Sequence, residues 1–539
     1  MDACLSGSWW TALFTRLNEH WLVSCKAGLF ASFEWIGRNA DRLPIVAWLS
    51  IVTVVIGSYL LSRSWVLQRD KRQVVLIWFT AATLMFTLGQ TYFLLWEACF
   101  FLHFPLIALL LMIWIFGRET HWVIRVFLAS FFGAASVFTF GMGIISSIAI
   151  LPVIWLNGRP DRGKATVSWI AVIGLLAALQ FSGVRTVGSE SATLGRIFAN
   201  PWQAVEFGLA MLGSPLACGT IIDPTRQSLL IAWIALCIAA VLGVAMWRRR
   251  HESDLIQKAS PWIAIGLAGL GACGMVTAGR VSDNLGIAIT GRYVALALPF
   301  YLGLFMLAAL LWGQKRGFGQ VTVFLIALSA LNSYSGATEM PYWQARNRFE
   351  RSSLMLLPHL PLEALPGLDL VEDTNRVRAT VTFMREKDVL RRVPEIKGVA
   401  LTNFDVRSEL VASRAEFQGL LPTEDGWQLV GRAELSTTGQ PPDLILISFE
   451  SEDMPTRIID TAVPTMPVNY FQNVTHRRTH RAFFNSWQRV LTKDRLAGQK
   501  GGWLRAWAWD LDAKRLFPIR GKHRIEPLLS SSPTEHPTG

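Results

Sequence analysis

Apolar runs of about 16–22 residues recur along this chain from residue 46 to about residue 335, divided by short polar stretches. A helix needs roughly 20 such residues to cross the hydrocarbon core of a bilayer. The pattern predicts about ten spans, near 44–62, 74–89, 98–117, 122–139, 142–156, 166–183, 227–246, 261–277, 294–312 and 319–335. After Ser335 the text changes: Pro, Arg, Asp and Glu become frequent and no further run of that length follows. From about Gly426 short β-type runs appear at Trp427–Leu435, Asp443–Phe449, Arg457–Ala462 and Leu504–Asp510, set apart by Gly, Pro and Asp. Such spacing suits a small antiparallel sandwich. The expected fold class is mostly α, a polytopic helical membrane domain followed by a small soluble α+β or β-sandwich-like domain.

Two segments refine this division. Phe140-Gly141-Met142-Gly143 interrupts an apolar stretch of about 34 residues, too long for one helix and suited to two short helices with a tight glycine turn. Residues 203–221 are apolar but hold Glu206 and Gly213-Ser214-Pro215, which fits an interfacial or re-entrant helix packed on protein better than a span. The domains expected are an outer N-terminal segment with an amphipathic helix (1–43), the transmembrane domain (44–335), a mixed connecting region (336–420) with a helical stretch at Asn375–Val393, a β-rich outer domain (421–526) and a tail (527–539).

Charge then separates function classes. The net charge is +12, but residues 1–335 hold 24 Lys and Arg against 14 Asp and Glu, and the remainder 27 against 25. The basicity belongs to the short loops of the membrane half, where it sets orientation, and not to a nucleic-acid surface. Loops 63–73, 118–121, 157–165, 247–260 and 313–318 with their flanks carry fifteen basic residues, against five in the opposite loops after residue 62. The first set is therefore expected inside, and the C-terminal domain outside, periplasmic in a bacterial inner membrane. Arg125 lies near the inner boundary, where it can snorkel to water. The N-terminal segment carries Arg16, Lys26, Arg38 and Arg42 with no span before it: either this tail translocates unaided, or Trp21–Ile36 does more than lie on the surface, or an initial helix lies upstream of residue 1, the reading favoured here. All six cysteines lie in the membrane half without zinc-type spacing and read as small packing residues.

The outward loop Ala278-Gly279-Arg280-Val281-Ser282-Asp283, with Thr290-Gly291-Arg292-Tyr293, holds two arginines and an aspartate where orientation alone would disfavour cations. Arginine presents a planar fork that matches phosphate oxygens and stays charged when partly buried. The plainer reading has Arg280 and Arg292 ending helices at the interface with Asp283 as counter-ion. Asn18-Glu19-His20 pairs a carboxylate with an imidazole, able to act as general base or to hold a divalent metal, and equally suited to a polar helix end. Glu97 opens the third span near the outer interface, with His103 six residues on. In the soluble half, the alternation from Trp503 to Asp510 puts Trp503, Arg505, Trp507 and Trp509 on one face, as a core row or a platform for sugar rings. His476 and His480 sit among arginines and read as a basic patch.

Several of these segments together resemble the GT-C type of bacterial glycosyltransferase: Asn18-Glu19-His20, Gly133–Pro152, Leu212-Gly213-Ser214-Pro215, Gly279-Arg280, Gly291-Arg292-Tyr293 and the ending Ala506-Trp507-Ala508-Trp509-Asp510. The resemblance implies a sugar donor on a polyprenyl phosphate, an acidic base in the first outer loop and phosphate contacts from later outer loops. Glu19 matches the acidic position; Arg280 and Arg292 match the phosphate-contacting ones, with His20, Glu97, Asp283 and Tyr293 as further substrate-binding candidates. This chain departs from the pattern in having no Asp-x-Asp or Glu-x-Asp pair and in carrying Trp21 where the relatives carry Arg.

The expected function is transfer of a sugar from a polyprenyl-phosphate donor on the outer face, for a surface polysaccharide or glycoprotein, with membrane lipids and a glycan acceptor as partners. No cofactor is required by the motifs, and a divalent metal remains open. The alternative is a non-catalytic protein of polysaccharide assembly or translocation whose outer domain binds glycan.

Overall fold

The computed structural model describes residues 22–35, 43–90, 99–139, 141–182, 197–217, 224–280, 285–289, 291–365, 378–379, 382, 398–407, 415–435, 441–451, 453–463, 486–496, 501–511 and 513–526. Contacts divide the chain into two units, residues 1–340 and 341–539.

The first unit is helical: α1 (Val23–Trp35), α2 (Leu43–Val66), α3 (Lys71–Met85), α4 (Phe104–Gly117), α5 (Trp122–Val137), α6 (Gly143–Ala149), α7 (Leu151–Leu156), α8 (Arg162–Phe181), α9 (Pro201–Gly213), α10 (Pro224–Arg248), α11 (Ser253–Arg280), α12 (Leu285–Ala288) and α13 (Gly291–Trp312). A last helix, α14 (Arg316–Leu356), begins in this unit and continues past its end.

Among the described residues seven helices are long and apolar enough to cross a membrane: Pro44–Val66, Lys71–Gln90, Arg162–Phe181, Thr225–Arg248, Ser253–Arg280, Tyr293–Trp312 and Gly317–Ala337. The expectation of about ten is thus met by seven. Three other apolar runs form the shorter helices Phe104–Gly117, Trp122–Val137 and Gly143–Leu156. At 1.5 Å per residue, α4 with its 14 residues reaches about 21 Å, short of a hydrocarbon core of about 30 Å. The reason lies in its start. Pro105 occupies the first turn, where a missing N–H costs nothing, so the α-helix begins at Phe104 and Cys99–Leu102 form a 3-10 turn instead.

The glycine turn expected near residue 140 separates α5 from α6. A Cβ on Gly143 would fall on the backbone of Ser136 and Val137, so only glycine lets the two helices fold back this closely. α9 is a 13-residue helix with Phe207, Ala210 and Met211 fully buried, packed on α10, α11 and α13. Its second half is covered by protein, while Trp202 and Val205 near its start are exposed.

Two helix pairs fix directions. Ser50 meets His103, and Gly57 lies against Leu110; the constant offset of 53 makes α2 and α4 parallel and in step. Gly269 lies against Phe300 and Gly266 against Gly303, a constant sum, so α11 and α13 are antiparallel.

Among the described residues the second unit is built on one sheet of eight strands: β1 (Asp405–Val406), β2 (Glu416–Thr423), β3 (Gly426–Arg432), β4 (Leu444–Ser451), β5 (Met454–Ala462), β6 (Ser486–Thr492), β7 (Gly502–Asp510) and β8 (Arg515–Ile525). The order is β5-β4-β7-β8-β2-β3-β6, with β1 pairing β8; the contacts of β8 with β1 and β2 are parallel and the rest antiparallel. This corrects the sandwich expectation. A single path of strands curls until its end strands meet, where Arg489 of β6 reaches Asp460 of β5 at 3.0 Å.

One face holds a core of Phe417, Leu429, Ile445, Ile447, Trp487, Leu504 and Phe517. The other packs Leu444, Leu446, Trp507, Trp509 and Leu516 against Met355, Leu356, Leu357 and Leu360, the end of α14 and the turn after it. Arg378 donates to the carbonyls of Leu357 and Leu360, both at 2.8 Å, and so caps that helix end. Apart from residues 378, 379 and 382, the helical stretch expected at Asn375–Val393 lies outside the described residues.

Candidate functional site

The α11–α13 hairpin positions the arginine loop. Gly303 sits where a Cβ would be 2.6 Å from the Trp262 carbonyl oxygen and 2.7 Å from the Gly266 nitrogen, so the two backbones touch. Extending the antiparallel register upward puts residue 292 level with Thr277, less than one helical turn from Arg280. The structure therefore brings Arg280 and the 291–293 segment to the same end of the same helix pair. Arg280 is the exposed last residue of α11, and Tyr293 is buried in the first turn of α13. Arg292 lies between them on the α13 backbone, its side chain outside the described residues. Glu19, His20, Glu97 and Asp283 also lie outside the described residues, as do Asn473, His476 and His480.

Four other polar side chains, Thr87, Gln90, Asn332 and Ser333, gather toward this end, which sequence patterns do not reveal. Asn332 of α14 accepts from the Thr87 hydroxyl at 2.7 Å and donates to the Ala217 carbonyl, tying the end of α3 and the turn after α9 to α14. The Leu88 N–H donates to Ser333 Oγ at 3.1 Å, and Gln90 Nε2 donates to the Met85 carbonyl at 2.6 Å. These groups are neutral, so they hold segments together and offer no acid–base chemistry.

His103 does carry a titratable ring and is 1% exposed at the start of α4. Ser50 Oγ donates its single hydrogen to the Ala47 carbonyl at 2.6 Å, so at 2.9 Å it accepts from His103 Nδ1–H. That assignment puts the ring's lone pair on Nε2. The parallel register of α2 and α4 places this pair at the end remote from residues 66 and 117.

The opposite end of the unit is marked by arginines on tryptophans. Arg69 lies 5.3 Å from the Trp65 ring, Arg118 4.0 Å from Trp114, Arg162 5.1 Å from Trp155 and Arg250 4.4 Å from Trp247. The parallel α2 and α4 put residues 66 and 117 on the same side. Arg159 donates to the carbonyls of Gly117 and Arg118, and Arg69 donates to the Leu310 carbonyl, which joins the neighbouring loops to that side. The loops that hold most of the positive charge thus share one end, and the Arg280 loop occupies the other.

Arg125 departs from its expected role. It is 1% exposed and ion-paired with Asp161, not extended to water. The pairing partner is 36 residues away, so the short-range pattern could not reveal it.

In the sheet unit the tryptophan row is on one face, as the alternation implies: Trp503, Arg505, Trp507 and Trp509 stand opposite Glu450, Ser448, Leu446 and Leu444. Trp507 and Trp509 are buried, with Trp507 Nε1 donating to Ser448 Oγ at 2.8 Å. Trp503 is half-buried with Lys522 over its ring at 4.2 Å. The inner part of the row is core and not a sugar platform.

Asp460 is 1% exposed, and burial pushes its carboxyl up to about 6 despite Arg489 beside it. It accepts from Arg489 Nε at 3.1 Å and from the Thr461 N–H at 2.7 Å, while Arg489 and Thr461 donate to the carbonyls of Glu363 and Ala364. That set seals the sheet. Among the described residues no three His, Cys, Asp or Glu side chains are grouped as metal ligands.

Comparisons of this chain with protein-family models, with curated proteins and with solved structures find no match.

Proposed function

We propose that this is a multi-pass membrane protein of the bacterial inner membrane that acts as a GT-C type glycosyltransferase, taking a sugar from a polyprenyl-phosphate donor at the end that carries Arg280. The carrying observation is the hairpin: Arg280 and the Arg292 backbone come to one end, away from the end that gathers the basic loops and the Arg–Trp stacks. Orientation by positive charge puts the basic end inside, which leaves the arginine pair outside with no orienting role. There the two guanidinium groups would bind the leaving polyprenyl phosphate, and Glu19 would take the acceptor proton. Tyr293, His20, Glu97 and Asp283 complete the proposed binding set, and the C-terminal sheet unit would stand in the periplasm.

The test uses full-length protein in detergent with polyprenyl phosphate and the uncharged polyprenol as probes. The proposal expects Arg280→Gln and Arg292→Gln each to weaken polyprenyl-phosphate binding about tenfold, the scale of one charge-assisted contact, with polyprenol unaffected. Equal affinity for the phosphate and the alcohol would refute it. Glu19→Gln tests the chemistry separately: transfer from a polyprenyl-phosphate sugar should be lost while binding remains.

A further inference from the structure

At the basic end, a cavity of about 490 Å³ lies between three segments: Trp65–Arg69 after α2, Arg249–Lys258 around the start of α11, and Leu310–Gln314 at the end of α13. We propose that this cavity is a binding site for the headgroup of an anionic membrane phospholipid, with the lipid phosphodiester set against Arg69. The proposal concerns the end opposite the Arg280 loop and stands independently of the glycosyltransferase reading.

The charges within the lining decide the ligand. Arg249 forms a forked pair with Glu252 at 2.7 and 2.6 Å, and Lys258 pairs with Asp254 at 2.6 Å. These four groups neutralise one another locally. Arg69 differs: among the described residues no carboxylate lies within ion-pair distance of it, and the neighbouring Asp70, whose charge acts on it from outside the lining, is engaged as the acceptor of the Gln73 N–H at the start of α3. Its guanidinium is held in place by three neutral contacts, a hydrogen bond to the Leu310 carbonyl at 3.3 Å, the Trp65 ring, and the space left by Gly313, where a Cβ would strike Nη1. A fixed cation with a spare charge, in a cavity whose other charges cancel, leaves a lining of net +1. One phosphodiester monoanion balances that charge. A zwitterionic headgroup brings no net charge to balance it.

Position decides between a lipid and a free phosphate. The cavity opens where spanning helices end, at the level marked by the Arg–Trp stacks, and tryptophan rings favour the headgroup layer. One residue before Gln68 and two before Arg249 of the lining come Leu67, 56% exposed, and Trp247, 67% exposed, apolar surface on which acyl chains can lie and which a soluble anion would not use. Gln68 and Gln314 add neutral donors that suit phosphate and glycerol oxygens.

The test uses delipidated full-length protein in neutral detergent, titrated with phosphatidylglycerol, phosphatidylcholine or inorganic phosphate and read by native mass spectrometry and by unfolding temperature. Phosphatidylglycerol should bind and raise the unfolding temperature; phosphatidylcholine should bind more weakly, and inorganic phosphate should not compete. Gln314→Glu adds a negative charge on an exposed side chain, so the fold is untouched while the lining becomes neutral. It should cut phosphatidylglycerol affinity by at least about fivefold, as expected for one partly screened charge, and leave phosphatidylcholine unchanged. Arg69→Gln should lose more, whereas Arg520→Gln in β8 should behave as the parent. Equal binding of the two lipids, unchanged affinity in both Gln314→Glu and Arg69→Gln, or competition by inorganic phosphate would each overturn the assignment.

Discussion

The α11–α13 hairpin makes a sharp prediction about two glycines. Gly303 has its partner helix on top of it: an added Cβ would meet the Trp262 oxygen at 2.6 Å, the Gly266 nitrogen at 2.7 Å and the Gly266 Cα at 2.8 Å. All three are backbone atoms, so no rotamer change can relieve the contact, and the helices must separate by several tenths of an ångström. Overpacking of a close-packed interior costs about 1–3 kcal/mol, and a backbone clash belongs in the upper part of that range. Alanine returns up to about 1 kcal/mol through helix propensity, less where the unfolded helices persist in detergent. Gly303→Ala should therefore lose about 1–2 kcal/mol. Gly274, exposed on the partner helix, has nothing within 4 Å of its Cβ position, and Gly274→Ala should gain about 0–1 kcal/mol. Equilibrium unfolding of the full chain in mixed micelles, titrated with a denaturing detergent, measures both. Shifts of the same sign in the two variants would show that the helices do not pack through this glycine contact.

Other consequences concern buried polar groups. Arg125→Leu strips Asp161 of its partner and should destabilise the helical unit by about 3 kcal/mol; the double change Arg125→Leu with Asp161→Leu should restore most of it in thermal unfolding. Asp460, with its carboxyl raised from 3.8 to about 6, is more easily protonated folded than unfolded, so its effect favours the fold at low pH. That contribution, of order 3 kcal/mol, is present below about pH 4 and disappears as pH rises through about 6. The protection of the amides of residues 454–462 against hydrogen exchange, corrected for the intrinsic rise of exchange with pH, should fall across that window in the parent and not in Asp460→Asn. Trp507→Phe and Ser448→Ala remove the two ends of one hydrogen bond, so each should cost about 1–2 kcal/mol and the pair clearly less than their sum, read from unfolding of the full chain.

The helices were legible because a bilayer-length apolar run leaves few alternatives, and their lengths less so, because local breaks decide them. Pro105 trims the 98–117 run at its start, a signal present in the text but outweighed by hydropathy. The change of composition at Ser335 marks the end of apolar character, yet α14 continues to Leu356, since Glu, Arg and Gln favour helix as readily as they favour water. Strands β2 and β8 escaped detection because Gly419, Pro422, Pro518 and Gly521 read as breaks; Gly521, at φ +97, instead marks an irregularity within β8, whose pairing slips between Arg505 and Trp507. At the candidate site, the arginine pair was legible as charge in an apolar setting. The Thr87–Asn332 bond, linking residues 245 apart, and the Asp460–Arg489 seal depend on tertiary proximity and have no local signature.

The strand order carries an implication for synthesis. β7 and β8 follow the other six strands of this sheet in the chain yet lie in its middle, with β4 and β5 on one side and β2, β3 and β6 on the other. Until β7 and β8 are available, the earlier strands form two ribbons that share no strand pairing and meet only through the Asp460–Arg489 side chains, each with open edges that invite pairing with other chains. The nascent sheet is thus most exposed to misassembly before β7 and β8 are made, and a stop codon ahead of residue 502 would leave two ribbons without their central strands in place of a smaller sheet.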